Sequence, residues 1–120
     1  MIISGVDIIK IARIRKISEK YGKRFLKRIY TEGEIGYCRG RAPQLASRFA
    51  AKEAVMKALG TGRSDVSWCD VEVVSNARKA PGVNLHKRAQ IYAERIGATQ
   101  FVLSVSHSKH YAVAFVVASN

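Results

Sequence analysis

Residues 43–62 read PQLASRFAAKEAVMKALGTG, and this stretch decides the fold. From Pro43 to Leu59 it holds no further Pro or Gly and is rich in Ala, Leu, Met, Lys and Glu, so it predicts a long helix with Gly60 and Gly62 as C-terminal caps. At about 100° per residue, Leu45, Phe49, Val55, Met56 and Leu59 form one apolar stripe that should face a core. Glu53 and Lys57 lie four apart on its flank and Arg48 lies near the opposite edge, so these charges can border a cleft while the helix stays packed. Lys52 falls inside the stripe, where a lysine must either extend its ammonium to the edge or meet an anion.

Upstream, Thr31-Glu32-Gly33-Glu34 has the form of a capping box and predicts a short helix to about Arg39. Met1 to Ile9 alternates loosely and predicts a strand carrying Gly5-Val6-Asp7, followed by a basic helix from about Lys10 to Tyr21 with Ile11, Ile14 and Ile17 at threefold spacing. Downstream, Trp68 to Val74 reads as a strand, Asn76 to Gly82 as a loop, and Leu85 to Ile96 as an amphipathic helix closed by Gly97. Gln100 to Ser106 and Tyr111 to Ala118 read as an antiparallel hairpin turning at Ser108-Lys109-His110. In the last strand Val113, Phe115 and Val117 share one face and Ala114, Val116 and Ala118 the other, so both faces look buried. A domain this small can hardly cover both itself, which favours self-association.

The 120 residues carry 21 Lys and Arg against 9 Asp and Glu, a formal charge of +12, in an otherwise ordinary globular composition that excludes disorder as the main state. They suit a single domain spanning residues 1–120. Asp7 and Lys10 interrupt the apolar N-terminus before it reaches signal or membrane-span length, so a soluble cytoplasmic protein without a membrane is expected. Cys38 and Cys69 show no disulfide or zinc spacing and read as reduced, packed thiols. Between Arg13 and Arg28 eight basic residues and one acid give a local charge of +7, a patch that attracts polyanions: nucleic acid, an anionic membrane or an acidic protein.

Asp7 in an apolar strand is costly to bury unless it is paired or holds a metal. A hard cation such as Mg²⁺ takes one or two protein carboxylates and completes its shell with water and phosphate oxygens, and Asp7 with Glu53 could be that pair. The blander alternative is a surface ion pair between Glu53 and Lys57. Gly60-Thr61-Gly62 and Ser106-His107-Ser108 offer backbone N–H groups, small hydroxyls and an imidazole to phosphate, though each is otherwise a helix stop or a turn.

Taken in order, Gly5-Val6-Asp7, the run from Arg48 to Gly62, and Ser104-Val105-Ser106-His107-Ser108 followed by Tyr111-Ala112 closely resemble the short single-domain phosphopantetheinyl transferases, the holo-[acyl-carrier-protein] synthases. Lys23-Arg24-Phe25, the Thr31 box and the position of Arg13 resemble that family too. The resemblance implies transfer of the phosphopantetheine arm of coenzyme A to a serine of apo acyl carrier protein, with Mg²⁺ and release of adenosine bisphosphate. By matching position it implies Asp7 and Glu53 as metal ligands. Lys57 would contact the pyrophosphate and offset charge on the leaving phosphate, with protonation of that phosphate open to it. Gly60, Thr61, Gly62, Ser106, His107 and Ser108 would hold the nucleotide part of coenzyme A, with Arg48 as a further phosphate contact. The base for the carrier serine stays open between a carboxylate near the metal and a metal-linked water. One loop departs from the family pattern: Ala77-Arg78-Lys79-Ala80-Pro81-Gly82 stands where Gly-Lys-Pro is usual, and none of its residues is assigned.

The resemblance also implies docking of the acidic carrier on the basic first helix through Arg13, Arg24 and Arg28 with Phe25 as an apolar contact, and a homotrimer with active sites between subunits. The fold expected is α+β, a small antiparallel sheet on one long helix plus shorter helices. The alternative, a basic nucleic-acid-binding protein, suits the charge, but only Tyr21, Phe25 and Tyr30 are interleaved with the basic residues. A non-catalytic scaffold for acidic carrier domains would not need Asp7, Glu53 and Lys57 together.

Overall fold

The computed structural model describes residues 1–76 and 79–120. Ile2–Lys10 forms β1, which runs directly into helix α1 (Ile11–Tyr21) and then α2 (Lys23–Ile29) and α3 (Glu32–Cys38). Helix α4 (Ala42–Leu59) and the single turn α5 (Gly62–Asp65) precede a 3₁₀ turn at Trp68–Asp70. Strands β2 (Val71–Asn76) and β3 (Lys79–Leu85), helix α6 (Lys87–Ile96) and strands β4 (Gln100–His107) and β5 (Tyr111–Ser119) complete the chain.

The main sheet is antiparallel in the order β1-β5-β4, and β2 pairs with β3 in a separate antiparallel ribbon. Strand alternation puts Gly5, Asp7 and Ile9 of β1 on the same face as Ala112, Ala114, Val116 and Ala118 of β5, and α4 lies along that face. Small residues there let the helix come close. A Cβ on Gly5 would stand 2.0 Å from the Ala54 carbonyl oxygen and 2.9 Å from the Ala58 nitrogen. That approach places β1 against the turn of α4 that carries Glu53 and Lys57.

Several expectations need correction. The buried set of α4 is no single stripe: Ala42, Leu45, Ala46, Ala50, Ala51, Ala54, Val55, Met56 and Leu59 are all buried, so the helix is packed nearly all round. Trp68–Asp70 is a 3₁₀ turn and the strand starts at Val71, because Ser67 and Asp70 cap the turn reciprocally. Part of the expected Asn76 to Gly82 loop is strand β3, with Val73 opposite Val83 and Val74 opposite Gly82; Ala77 and Arg78 of that loop lie outside the described residues. Pro81 falls where the register shifts, so its missing N–H costs little. Leu85 ends β3, and α6 starts only at Lys87.

The other face of the main sheet is open. Ile2, Val6, Ile8, Val102 and Phe115 stand there between 47% and 78% exposed, so the outward side of β5 is apolar but uncovered in one chain. Cys38 is buried, which pushes its thiol up to about 11, and Cys69 is half-buried; both are free thiols. No helix among the described residues is long and apolar enough to cross a membrane.

Candidate active site

Asp7 is brought to α4 by the Gly5 contact two residues before it. Lys57 Nζ donates to Asp7 Oδ1 at 2.8 Å and to the Val6 carbonyl at 3.3 Å. The hydrogen bond to Asp7 holds the Lys57 ammonium above its ordinary value against a small desolvation cost, with the Asp7 and Glu53 charges adding to the hold. Glu53, half-buried one turn before Lys57, is therefore within electrostatic reach of the same point. Lys57 is 55% exposed and Asp7 14%, so the pair is open to solvent and to a ligand. The predicted trio of Asp7, Glu53 and Lys57 is gathered at one edge of the helix–sheet layer.

The donor set suits a hard cation. Asp7 and Glu53 offer carboxylate oxygens only, and among the described residues no group of three or more His, Cys, Asp or Glu gathers. Two carboxylates with the remaining positions left to water and phosphate is the pattern Mg²⁺ prefers, whereas a structural transition-metal site needs more protein ligands.

A second centre lies across β5. Arg48, Ser106 and His107 line one cavity of about 270 Å³, together with Tyr37, Gln44, Ser47 and Ser75. Arg48 is 7% exposed, donates to Ser47 Oγ at 3.1 Å and to Ser75 Oγ, and lies 4.3 Å from the centre of the Tyr37 ring. Among the described residues no carboxylate pairs with it. A nearly buried guanidinium held by hydroxyls and an aromatic face is arranged to receive an anion. Ser47, Ser75 and Tyr37 went unnoticed in the sequence, since single Ser and Tyr residues carry no spacing signal.

The glycine motif caps the helix. Gly60 and Gly62 take φ of 75° and 65°, a left-handed conformation that favours glycine, and Gly60 N–H donates to the Met56 carbonyl at 2.9 Å. Between them Thr61 is buried, and its Oγ1 is the one buried side-chain oxygen without a hydrogen-bond partner among the described residues. Ser108 builds the β4–β5 turn instead of lining the Arg48 cavity: its Oγ accepts from the Tyr111 N–H at 3.2 Å.

The basic helix expected from about Lys10 to Tyr21 is α1, and beyond Gly22, at φ 54°, the basic run continues in a second helix, α2. Arg24, Phe25 and Arg28 of α2 line a groove of about 540 Å³ with Ile17 and Tyr21 of α1, and Phe49 stacked on Trp68 at 4.8 Å forms part of its wall. Arg13 is exposed one helical turn before Ile17 and so borders the same stripe.

The model of the 4'-phosphopantetheinyl transferase superfamily matches residues 4–116. A holo-[acyl-carrier-protein] synthase of Gloeobacter violaceus is 49% identical over 116 residues, covering 93% of this chain and 88% of its own. One of Dehalococcoides mccartyi is 43% identical over 120 residues, covering all of both chains. Among solved structures, the Helicobacter pylori holo-[acyl-carrier-protein] synthase in complex with coenzyme A superposes with a TM-score of 0.87 at 33% identity, covering 99% of this chain and 100% of its own. Sequence match and backbone agree over essentially the whole length, and the chain belongs to the 4'-phosphopantetheinyl transferase superfamily.

Proposed function

We propose that this chain transfers the phosphopantetheine arm of coenzyme A to a serine of apo acyl carrier protein, using Asp7, Glu53 and Lys57. The serine oxygen attacks the phosphorus that bears the pantetheine arm, the P–O bond to adenosine bisphosphate breaks with its electron pair going to the leaving phosphate, and the serine proton passes to a carboxylate near the site or to water. The single observation that carries the reading is the open Asp7–Lys57 pair, beside Glu53, on a helix pressed against Gly5. Asp7 and Glu53 would hold Mg²⁺, which when bound neutralises pyrophosphate oxygens. Lys57 sits at 2.8 Å from Asp7, raised and fully charged at neutral pH, and would steady the leaving phosphate as its charge grows. Arg48 and His107 would take phosphate from the nucleotide part of coenzyme A, with Ser106 beside them, and the backbone at Gly60, Thr61 and Gly62 would border it.

The groove between α1 and α2 would receive the acidic carrier, with Arg24 and Arg28 at its walls, Phe25 as the apolar contact and Arg13 at its border. A homotrimer, with active sites completed between subunits, would cover the exposed Val6, Ile8, Val102 and Phe115 of the outer sheet face. The protein would act in the cytoplasm, where such a carrier and coenzyme A meet. The test is transfer to an apo carrier before and after chelation: activity should vanish with chelator and return with added Mg²⁺, and metal-independent transfer would contradict the roles of Asp7 and Glu53. Light scattering should report three chains per particle.

A further inference from the structure

Helix α4 poses a problem that its apolar residues do not solve. Nearly every side of it is buried, and six of its residues are alanine, at positions 42, 46, 50, 51, 54 and 58. The alanines face one half of the helix and Leu45, Phe49, Val55, Met56 and Leu59 the other, so apolar packing fixes which half meets the sheet, but the low ridges of the alanine half specify the finer rotation about the axis only weakly. Gly5 fixes how near β1 comes, but a close approach of smooth surfaces does not fix roll. Yet Glu53 must point at Asp7, and neighbouring helical side chains differ by about 100° in direction.

Lys52, one residue before Glu53, is fully buried and held from three sides. Its Nζ meets Glu34 Oε1 at 2.6 Å, the Val71 carbonyl at 2.6 Å and the Trp68 carbonyl at 3.0 Å. Glu34 is itself anchored: its Oε1 accepts from the Thr31 N–H at 2.8 Å and its Oε2 from the Val73 N–H at 2.9 Å. Three directional bonds to α3, β2 and the 3₁₀ turn narrow the rotations that α4 can take while all three are kept. A buried ion pair adds little net stability compared with apolar residues of the same shape, so its distinguishing contribution is directional.

We propose that Lys52, braced by Glu34, is a positioning residue that sets the roll of α4 and thereby aims Glu53 at Asp7. The inference rests on the proposed metal-holding role of Asp7 and Glu53. It separates two uses of adjacent charges in one helix: Lys52 never meets substrate, and Glu53 acts only while Lys52 is seated. Because Lys52 also takes the carbonyl of Trp68, whose ring stacks on Phe49, the same brace steadies one wall of the carrier groove.

The test compares Lys52→Met, which keeps length and removes the charge, with Glu34→Gln, using the parent as reference. Thermal melts and circular dichroism establish folding, Mn²⁺ binding in the presence of coenzyme A is followed by electron paramagnetic resonance, and the Mg²⁺ dependence of transfer is measured. The expected result is a cooperative melt with Mn²⁺ affinity and the Mg²⁺ half-saturation point each weakened about tenfold in both variants, accompanied by a lower kcat. A merely structural role would lower the active fraction and scale kcat while leaving both metal midpoints in place, and that result would overturn the proposal. So would failure of both variants to fold, since the pair would then be a stability element. A parent that shows no Mg²⁺-dependent transfer defeats the metal-holding role itself; normal parent behaviour with unshifted variants defeats only the role of Lys52.

Discussion

Two lysine–carboxylate pairs sit five residues apart on α4 and differ in almost everything but length. Lys52–Glu34 spans 2.6 Å with both side chains at 0% exposure, and Lys57–Asp7 spans 2.8 Å with 55% and 14%. Burial is the largest influence on the Lys52 ammonium and pulls it down, with Glu34 opposing; at Lys57 the hydrogen bond to Asp7 dominates and pushes it up. Around Lys52 backbone carbonyls complete the shell and leave no opening for a ligand. At Lys57 the ion pair is half in solvent and can exchange partners. A short salt bridge is therefore no guide to function by itself; what surrounds its remaining donors and acceptors decides whether it braces or reacts.

The comparison is broken most severely at the open pair. Asp7→Ala and Glu53→Ala should each lower transfer by about 100-fold or more, with melting points near that of the parent, because in the proposed roles each removes a ligand of the cation that offsets phosphate charge. Steady-state transfer rates check this. Lys57→Ala should lower kcat more than it weakens coenzyme A binding, since its charge is needed most in the transition state. Gly5→Ala strikes the packing that brings β1 to α4: with a Cβ 2.0 Å from the Ala54 carbonyl oxygen, the strand must lift, at a cost of about 1–3 kcal/mol by overpacking. Denaturant titration measures that loss, and transfer should fall with it although no charged group has changed.

Smaller effects sharpen the contrast at sites outside α4. Arg13→Glu should raise the KM for carrier protein about tenfold, leave that for coenzyme A nearly unchanged and reduce the salt dependence of the reaction, as kinetics at two ionic strengths will report. The mildest effect belongs to Glu72, whose Oε1 lies 2.9 Å from His86 Nε2 and whose Oε2 accepts from Thr31 Oγ1 at 2.8 Å. Burial raises this carboxyl, but the bonds from His86 and Thr31 outweigh it and hold it below the ordinary 4.5. A carboxyl lowered in the folded state contributes stability above its unfolded value and loses it as pH falls through the folded one. Glu72→Gln should thus flatten the acid side of the stability curve below about pH 4.5, by well under 1 kcal/mol because solvent screens its half-exposed His86 partner.

What the sequence disclosed depended on how local the determining forces were. The long helix, the Thr31 capping box and the terminal hairpin follow from signals within a few residues, and all three stand within two residues of expectation. From its place on the wheel Lys52 had either to reach the edge or to meet an anion, and Glu34 supplies the anion, but nothing local linked a capping residue to a lysine eighteen positions on. Strand β3 was hidden because Pro81 and Gly82 read as a turn, and only pairing with β2 makes them strand. In the candidate site, pattern and resemblance together single out Asp7, Glu53 and Lys57, and the fold brings Asp7 and Lys57 to 2.8 Å with Glu53 one turn away on the same helix. The hydroxyls and ring around Arg48 come from three separate elements and could be found only in three dimensions.

The central claim is most directly tested by intact-mass spectrometry of a purified apo acyl carrier protein incubated with this protein, coenzyme A and Mg²⁺, beside a reaction with Asp7→Ala. The account predicts that the carrier gains the mass of one phosphopantetheine group on its serine with the parent and stays apo over the same time with the variant. A carrier left at its apo mass by the folded parent, or modified equally by both, would contradict it.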